Sequence, residues 1–260
     1  MLKAVQCDGC GNAMTVEKLS HEQQVACPNC KTLISIPAAG IDKNTIVGER
    51  YQIKEVASEN AISILYLATD LEIEDYVLIR VFSWEFSEAI SNPEDYVQTV
   101  SSVSHLAEPA HVRIIDYGID DSLIYTVWAY EDIESVESVV RRNGSMSPAM
   151  AVSICKDLAL SLDKAFHSAG VGHFNLTPTC IYLNSQGLVK YSDFGSSAQL
   201  SNDPDFMQAG ISYWNMSYLS PEMALGWDYP DLKSDMYGLA CVLYYMITGS
   251  EPHGGAKNSN

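Results

Sequence analysis

Four of the seven cysteines stand in two Cys-x2-Cys pairs, Cys7 with Cys10 and Cys27 with Cys30. Each pair is typical of a turn in which two thiolates converge on one metal ion, and the 16 residues between the pairs allow a small hairpin to join the turns. The spacing therefore predicts a closed, structural Zn²⁺ site without catalytic function. Two disulfides or two redox motifs are the alternatives. The missing signal peptide argues against disulfides, and the closeness of the pairs argues against redox motifs.

Residues 1–36 resemble a zinc ribbon. A segment this short cannot bury a stable core alone, so the metal is expected to supply its folding energy. Its three basic and three acidic residues cancel, and a scaffold or protein-docking role is at least as consistent with that charge as nucleic-acid binding. The small residues that follow predict a linker over 37–45.

The net charge of −18 belongs entirely to residues 41–260, which carry 12 basic and 30 acidic side chains. Such a body repels phosphate backbones and anionic lipid surfaces, so we expect no nucleic-acid partner. The longest strongly apolar stretch, 237–248, is about half as long as a membrane-spanning helix. We therefore expect no membrane span within these residues, and without a signal peptide the expected location is the cytoplasm.

After the linker, the predicted elements change from mostly strands to mostly helices. This order indicates an α+β protein with a first lobe over 46–130 and a second over 131–255. The predicted strands are 51–56, 62–69, 76–82, 112–118 and 123–129; the helices are 94–106, 147–167 and 234–248; a hairpin turn is predicted at 184–187.

Several short motifs follow one another along these lobes. They read Leu-Tyr-Leu-Ala at 65–68, Val-Leu-Ile-Arg-Val at 77–81, His-Phe-Asn-Leu-Thr-Pro at 173–178, Tyr-Ser-Asp-Phe-Gly at 191–195, Ser-Pro-Glu at 220–222 and Lys-Ser-Asp-Met-Tyr-Gly at 233–238. In this order they resemble the eukaryotic-like (Hanks-type) Ser/Thr protein kinases of bacteria. The resemblance implies a bilobal protein-kinase-like fold with a nucleotide cleft between the lobes. It also implies an incomplete second lobe, because the chain ends 25 residues after Asp235.

The stretch aligned with the family's glycine-rich phosphate loop contains no glycine. Side chains there hinder the close approach of backbone to phosphate, and Glu59 adds a repelling charge. The polar residues of this degenerate loop are Ser58, Asn60 and Ser63.

Arg80 stands where the family has its phosphate-contacting lysine, and a guanidinium is bulkier and planar. The glutamate that pairs with this lysine should fall near residue 99. That position is Thr99, beside Gln98, so the family's ion pair is predicted to be missing.

The catalytic positions are altered as well. Asn175 replaces the general-base aspartate, and an amide cannot accept a proton near neutral pH. Thr177 replaces a lysine, and Cys180 replaces an asparagine that binds the second magnesium, although magnesium prefers oxygen ligands. Asp193 alone remains as a magnesium ligand.

Three large side chains fall where the resemblance implies an adenine pocket: Leu78, Tyr182 and Trp128, the last at the gatekeeper position. We expect them to fill the space between the lobes in place of adenine. The alternative is a reshaped cleft that still holds a nucleotide.

Together these substitutions argue against ATP and Mg²⁺ as cofactors. They favour a pseudokinase that binds a protein partner, such as an active kinase or a substrate, as a scaffold or allosteric regulator in signalling. The alternative is an atypical active Ser/Thr kinase that uses Asp193 with one metal.

Overall fold

The computed structural model describes ten stretches of the chain: residues 2–7, 9–17, 23–36, 41–60, 62–104, 110–170, 172–203, 205–206, 214–225 and 230–254. The N-terminal part contains two antiparallel hairpins rather than the single hairpin that the cysteine spacing suggested. In each, the Cys-x2-Cys pair forms the turn. The strands are β1 (Leu2–Gln6) with β2 (Ala13–Glu17), and β3 (Gln23–Ala26) with β4 (Leu33–Ile36).

The first lobe is a six-stranded antiparallel sheet of order β5-β6-β7-β8-β10-β9. One face carries its own apolar core, which includes Tyr66, Ile79 and Val127. The opposite face turns towards two helices and the second lobe. The elements are β5 (Ile46–Val47), β6 (Tyr51–Glu59), β7 (Ser63–Asp70), β8 (Asp75–Phe82), α1 (Trp84–Ala89), α2 (Pro93–Ser104), β9 (Ile114–Asp120) and β10 (Leu123–Ala129).

Part of the predicted linker belongs to this sheet. The Ile41 N–H donates to the Tyr66 hydroxyl at 2.7 Å, and the Ile53 N–H donates to the Thr45 carbonyl at 2.9 Å. Residues 41–45 are therefore attached to the first lobe, while 37–40 lie outside the described residues.

The second lobe is mainly helical around one apolar core. Ser147 caps α4 with proline at its first position, as its sequence predicts. Helix α7 (Leu232–Thr248) ends at a left-handed Gly249 as predicted, but it begins at Leu232, because Asp231 and Ser234 form a capping box. The elements are β11 (Ile133–Ser135), α3 (Val136–Asn143), α4 (Pro148–Ala169), β12 (Ile181–Asn184), β13 (Val189–Tyr191), α5 (Ser196–Ser201), α6 (Pro221–Ala224) and α7 (Leu232–Thr248).

Within the described ranges, no helix combines the length and apolar character needed to cross a bilayer.

An aromatic cluster joins the two lobes beside α5. Phe86 of α1 stacks on Phe82 with ring centroids 4.7 Å apart and meets Phe206 of the second lobe edge-on at 5.4 Å. Phe206 in turn contacts Trp214 at 6.1 Å. Phe86, Phe206 and Leu200 are fully buried, so this cluster is a second core between the lobes.

Replacing Phe206 by alanine should destabilise the protein by about 3–5 kcal/mol, because it leaves a cavity in this interlobe core. Urea unfolding of the full chain measures the loss. Trp84→Ala is the control, since Trp84 is an aromatic residue that is 45% exposed, and it should change stability far less. Equal losses in the two variants would contradict the packing described for Phe206.

Candidate functional site

The four predicted cysteines converge in space. Their Sγ atoms all lie within 4.8 Å of one another, with 3.5 Å between Cys7 and Cys30 and 3.7 Å between Cys10 and Cys27. Four sulfurs about 2.3 Å from a shared tetrahedral ion would be about 3.8 Å apart. The thiolate set therefore fits Zn²⁺, and it is the only group of three or more potential ligands among the described residues.

The two cysteine turns share one backbone design. The N–H of Gly11 donates to the Cys7 carbonyl at 2.7 Å, and the N–H of Lys31 donates to the Cys27 carbonyl at 2.9 Å. Both donors have left-handed backbone, with φ of 70° and 63°. This conformation suits Gly11 and strains Lys31. The Thr32 hydroxyl lies 3.1 Å from Cys30 Sγ, where it can hold a ligand in place.

The loop aligned with the phosphate loop is closed on itself. The Asn60 side-chain oxygen accepts hydrogen bonds from the backbone N–H groups of Ile62 and Ser63, at 3.0 and 2.9 Å, and from the Ser63 hydroxyl at 3.0 Å. Ile62 is buried in the interlobe core. The backbone N–H groups of Ile62 and Ser63 are therefore paired with Asn60 and are not available to an anion.

Arg80 of β8 and Asp193, which follows β13, form a buried ion pair across the cleft. The Arg80 side chain is 5% exposed, that of Asp193 13%. Arg80 Nε also donates to the Ser63 hydroxyl at 2.7 Å, and the Ser192 hydroxyl donates to Asp193 at 2.9 Å. Burial alone would raise the pKa of Asp193, but the Arg80 charge and hydrogen bond lower it below its ordinary value.

The α2 position opposite Arg80 differs from the prediction. Thr99 is half-buried and Gln98 is exposed, whereas the α2 residues that line the space around Arg80 are Tyr96, Val97 and Val100. The buried face of a helix that begins at Pro93 falls on these positions. All three are uncharged. Within the described residues, the ionic partner of Arg80 is Asp193.

Leu78, Trp128 and Tyr182 meet in one buried cluster between the lobes. Leu78 and Trp128 are cross-strand partners of β8 and β10. The rings of Trp128 and Tyr182 meet edge-on at 5.9 Å, and the indole N–H of Trp128 donates to the Thr126 hydroxyl at 3.0 Å. Each of the three is at most 4% exposed, so no apolar slot remains open among them.

The space left in the cleft is small. A cavity of about 20 Å³ lies between Arg80, Asp193 and α2, which is room for one water. A polar recess of about 190 Å³ lies between the Ser58–Ser63 turn and Arg141 of α3. Ligand pockets usually measure about 300–1,000 Å³. Both of these spaces are smaller than that range.

The segment 173–180 is held by hydrogen bonds to its neighbours. Asp235 accepts hydrogen bonds from the backbone N–H groups of His173 and Phe174, at 2.9 and 2.6 Å. The imidazole of His173 donates from Nε2 to the Ser192 carbonyl at 2.7 Å. Cys180 is buried, and its sulfur accepts the Thr177 N–H at 3.3 Å. The Asn175 N–H contacts His173 Nδ1 at 3.3 Å.

Sequence reasoning missed two parts of this site. The pairing of Arg80 with Asp193 could have been foreseen, because these opposite charges are kept while the usual glutamate partner is lost. The packing of α5 and Phe206 against the first lobe left no such signal, because single apolar residues do not reveal their partners.

Residues 51–260 match the protein kinase domain family. The chain belongs to the protein kinase family. A probable serine/threonine-protein kinase of Clostridium perfringens is 27% identical over 210 residues, which cover 81% of this chain and 30% of that protein. The serine/threonine-protein kinase PknB of Mycobacterium leprae is 28% identical over 210 residues, 79% of this chain and 33% of PknB. The chain thus spans about a third of the length of these curated relatives.

The fold agrees with solved protein kinases. The crystal structure of a double mutant of the PknI kinase domain from Mycobacterium tuberculosis superposes with a TM-score of 0.67 at 19% identity, covering 82% of this chain and 81% of that one. This likeness establishes the kinase fold and confirms the predicted α+β, bilobal architecture. The N-terminal cysteine cluster precedes the residues that match the family.

Removal of one metal ligand should abolish metal binding at the cysteine cluster. Cys27→Ser should lower zinc content from about one ion per chain to near zero, because a three-thiolate site loses its closed coordination. Elemental analysis of the purified full chain measures this. Cys155→Ser is the control, because Cys155 is buried in the second lobe, and it should leave zinc content unchanged. Full zinc content in Cys27→Ser would contradict the site.

Arg80→Met should destabilise the protein by about 3–5 kcal/mol at about pH 7, because it leaves Asp193 buried without its counter-charge. The pKa of Asp193 is lower in the folded protein than in the unfolded chain. The ion pair therefore contributes its full stabilisation of the fold above the unfolded pKa of about 3.9, and this stabilisation is lost as pH falls through the folded pKa. The difference in unfolding free energy between wild type and variant should therefore narrow as pH falls below about 4. Urea unfolding across this range measures it.

Arg142→Met is the matched control, since its ion pair with Glu134 is largely exposed and should contribute about 1 kcal/mol or less. A pH-independent gap for Arg80→Met would contradict the assignment of its effect to Asp193.

Proposed function

We propose that this chain is a pseudokinase: a kinase-fold protein that acts by binding a protein partner, as a scaffold or allosteric regulator, and not by phosphoryl transfer. The main support for this proposal is the buried ion pair between Arg80 and Asp193. Arg80 could meet phosphates and Asp193 could meet a metal in the cleft, and each neutralises the other.

Three further features support the proposal. The bulky cluster of Leu78, Trp128 and Tyr182 occupies the apolar part of the cleft. The Asn60 side-chain oxygen accepts the backbone N–H groups of Ile62 and Ser63. Asn175 offers an amide where proton acceptance would require a carboxylate.

For the N-terminal segment we propose a structural zinc ribbon. Its tetrathiolate set is closed, so the metal would stabilise the fold and leave no open position for a substrate. The neutral charge of this segment favours a docking role towards protein over nucleic acid. The proposed location of the chain is the cytoplasm.

A second candidate function is Ser/Thr protein phosphorylation. The comparisons favour it, because the named relatives of similar sequence are serine/threonine-protein kinases. It would require Arg80 to leave Asp193 and the cleft to widen, since phosphoryl transfer depends on positioning and on charge stabilisation by metal and cations.

Nucleotide binding separates the two functions. Thermal unfolding of the zinc-loaded chain should show no shift with ATP, alone or with Mg²⁺ or Mn²⁺, because the cleft is filled. A ligand at about 100 times its dissociation constant would stabilise the fold by roughly 2.7 kcal/mol. A metal-dependent shift, together with phosphate transfer that Asp193→Asn abolishes, would refute the pseudokinase proposal.

The occlusion itself is tested by the Leu78→Ala/Trp128→Ala double variant. Removing both side chains should open the apolar slot and restore a thermal shift with adenosine or ATP. Leu160→Ala, at a residue that is 63% exposed on α4, is the control for truncation of an apolar side chain. A folded double variant that still fails to bind would count against occlusion by these residues.

A further inference from the structure

A polar contact joins the lobes beside the interlobe aromatic cluster. Ser91 lies in the exposed loop between α1 and α2, and its N–H donates to Asp203 Oδ2 at 2.9 Å. Its hydroxyl lies 2.7 Å from Asp203 Oδ1 and 2.9 Å from Asp205 Oδ2. One serine of the first lobe thus stands between two carboxylates of the second.

Asp203 connects this contact to the buried aromatic residues. Its Oδ1 also accepts the backbone N–H groups of Asp205 and Phe206, at 3.0 and 3.1 Å. That turn directs the Phe206 ring into the first lobe, against Phe86. Loss of the Ser91 contact would therefore loosen the attachment of the segment that follows α5.

The contact depends on the charge at Ser91. A neutral hydroxyl can donate its hydrogen between two carboxylates. A phosphate group in its place would bring a charge of about −1.5 to −2 and further acceptor oxygens next to two negative groups. None of the groups that hold Ser91 in these contacts is cationic.

We infer that Ser91 is a phosphorylation site and that its phosphate opens the contact between the lobes. The modifying enzyme would be a separate serine kinase: the γ-phosphoryl group of ATP is transferred to Ser91 Oγ, the bond to the β-phosphate breaks, ADP leaves and the hydroxyl proton passes to that enzyme's base. The exposed position of Ser91 on a loop makes its hydroxyl reachable.

Separation of the lobes at Ser91 would affect the cleft through α5. This helix begins three residues after Asp193, and Leu200 packs in the same core as Phe206. Repulsion at Ser91 would weaken that packing and give α2 and α5 freedom to separate. The effect of a phosphate at Ser91 on the contact between the lobes does not depend on whether the cleft binds nucleotide.

The test is the full chain with phosphoserine incorporated genetically at position 91. Hydrogen exchange of the amides at 199–203 should become about tenfold faster than in the unmodified chain, because the segment is no longer held to the first lobe. Phosphoserine at position 153 is the control. Ser153 is exposed on α4, and its modification should leave these amides unchanged.

Charge dependence is tested in the Asp203→Asn/Asp205→Asn double variant. Asparagine keeps an acceptor oxygen for the turn and removes the repulsion, so phosphoserine at position 91 should no longer accelerate exchange. Unchanged exchange in the phosphorylated wild-type chain would overturn the inference. Equal acceleration in the double variant would overturn its electrostatic basis.

Discussion

The buried ion pair between Arg80 and Asp193 is the interaction on which the arrangement of the two lobes depends. Either charge alone in this position would cost several kcal/mol, so each residue is tolerated only because the other is present. Because Arg80 belongs to the sheet of the first lobe and Asp193 to the second, the ion pair joins the two lobes across the cleft and must break when they move apart.

Other contacts reinforce the same arrangement from both sides of the pair. Trp128 and Tyr182 fill the apolar side of the cleft, and Phe86 with Phe206 fills the side next to α5. The chain's own side chains therefore supply contact between the lobes on both sides of the ion pair. Such packing fits the proposed scaffold function, because a scaffold must present a fixed surface to its partner.

The sequence was sufficient to predict features that depend on residues close together along the chain. The spacing of Cys7, Cys10, Cys27 and Cys30 predicted their convergence, and caps such as Ser147 marked helix ends. It was insufficient for contacts between distant segments. Arg80 and Asp193 are separated by 113 positions. The face of α2 opposite Arg80 depends on where that helix begins, and it carries Tyr96, Val97 and Val100 instead of the predicted Thr99. Register within a helix and contacts between lobes are tertiary properties.

The most direct test of this account is a crystal structure of the full chain grown with a saturating non-hydrolysable ATP analogue and Mn²⁺. We expect Arg80 to remain paired with Asp193, Trp128 and Tyr182 to occupy the space between the lobes, and the cleft to show no nucleotide density. Nucleotide density there, with Arg80 turned towards its phosphates and metal bound to Asp193, would contradict it.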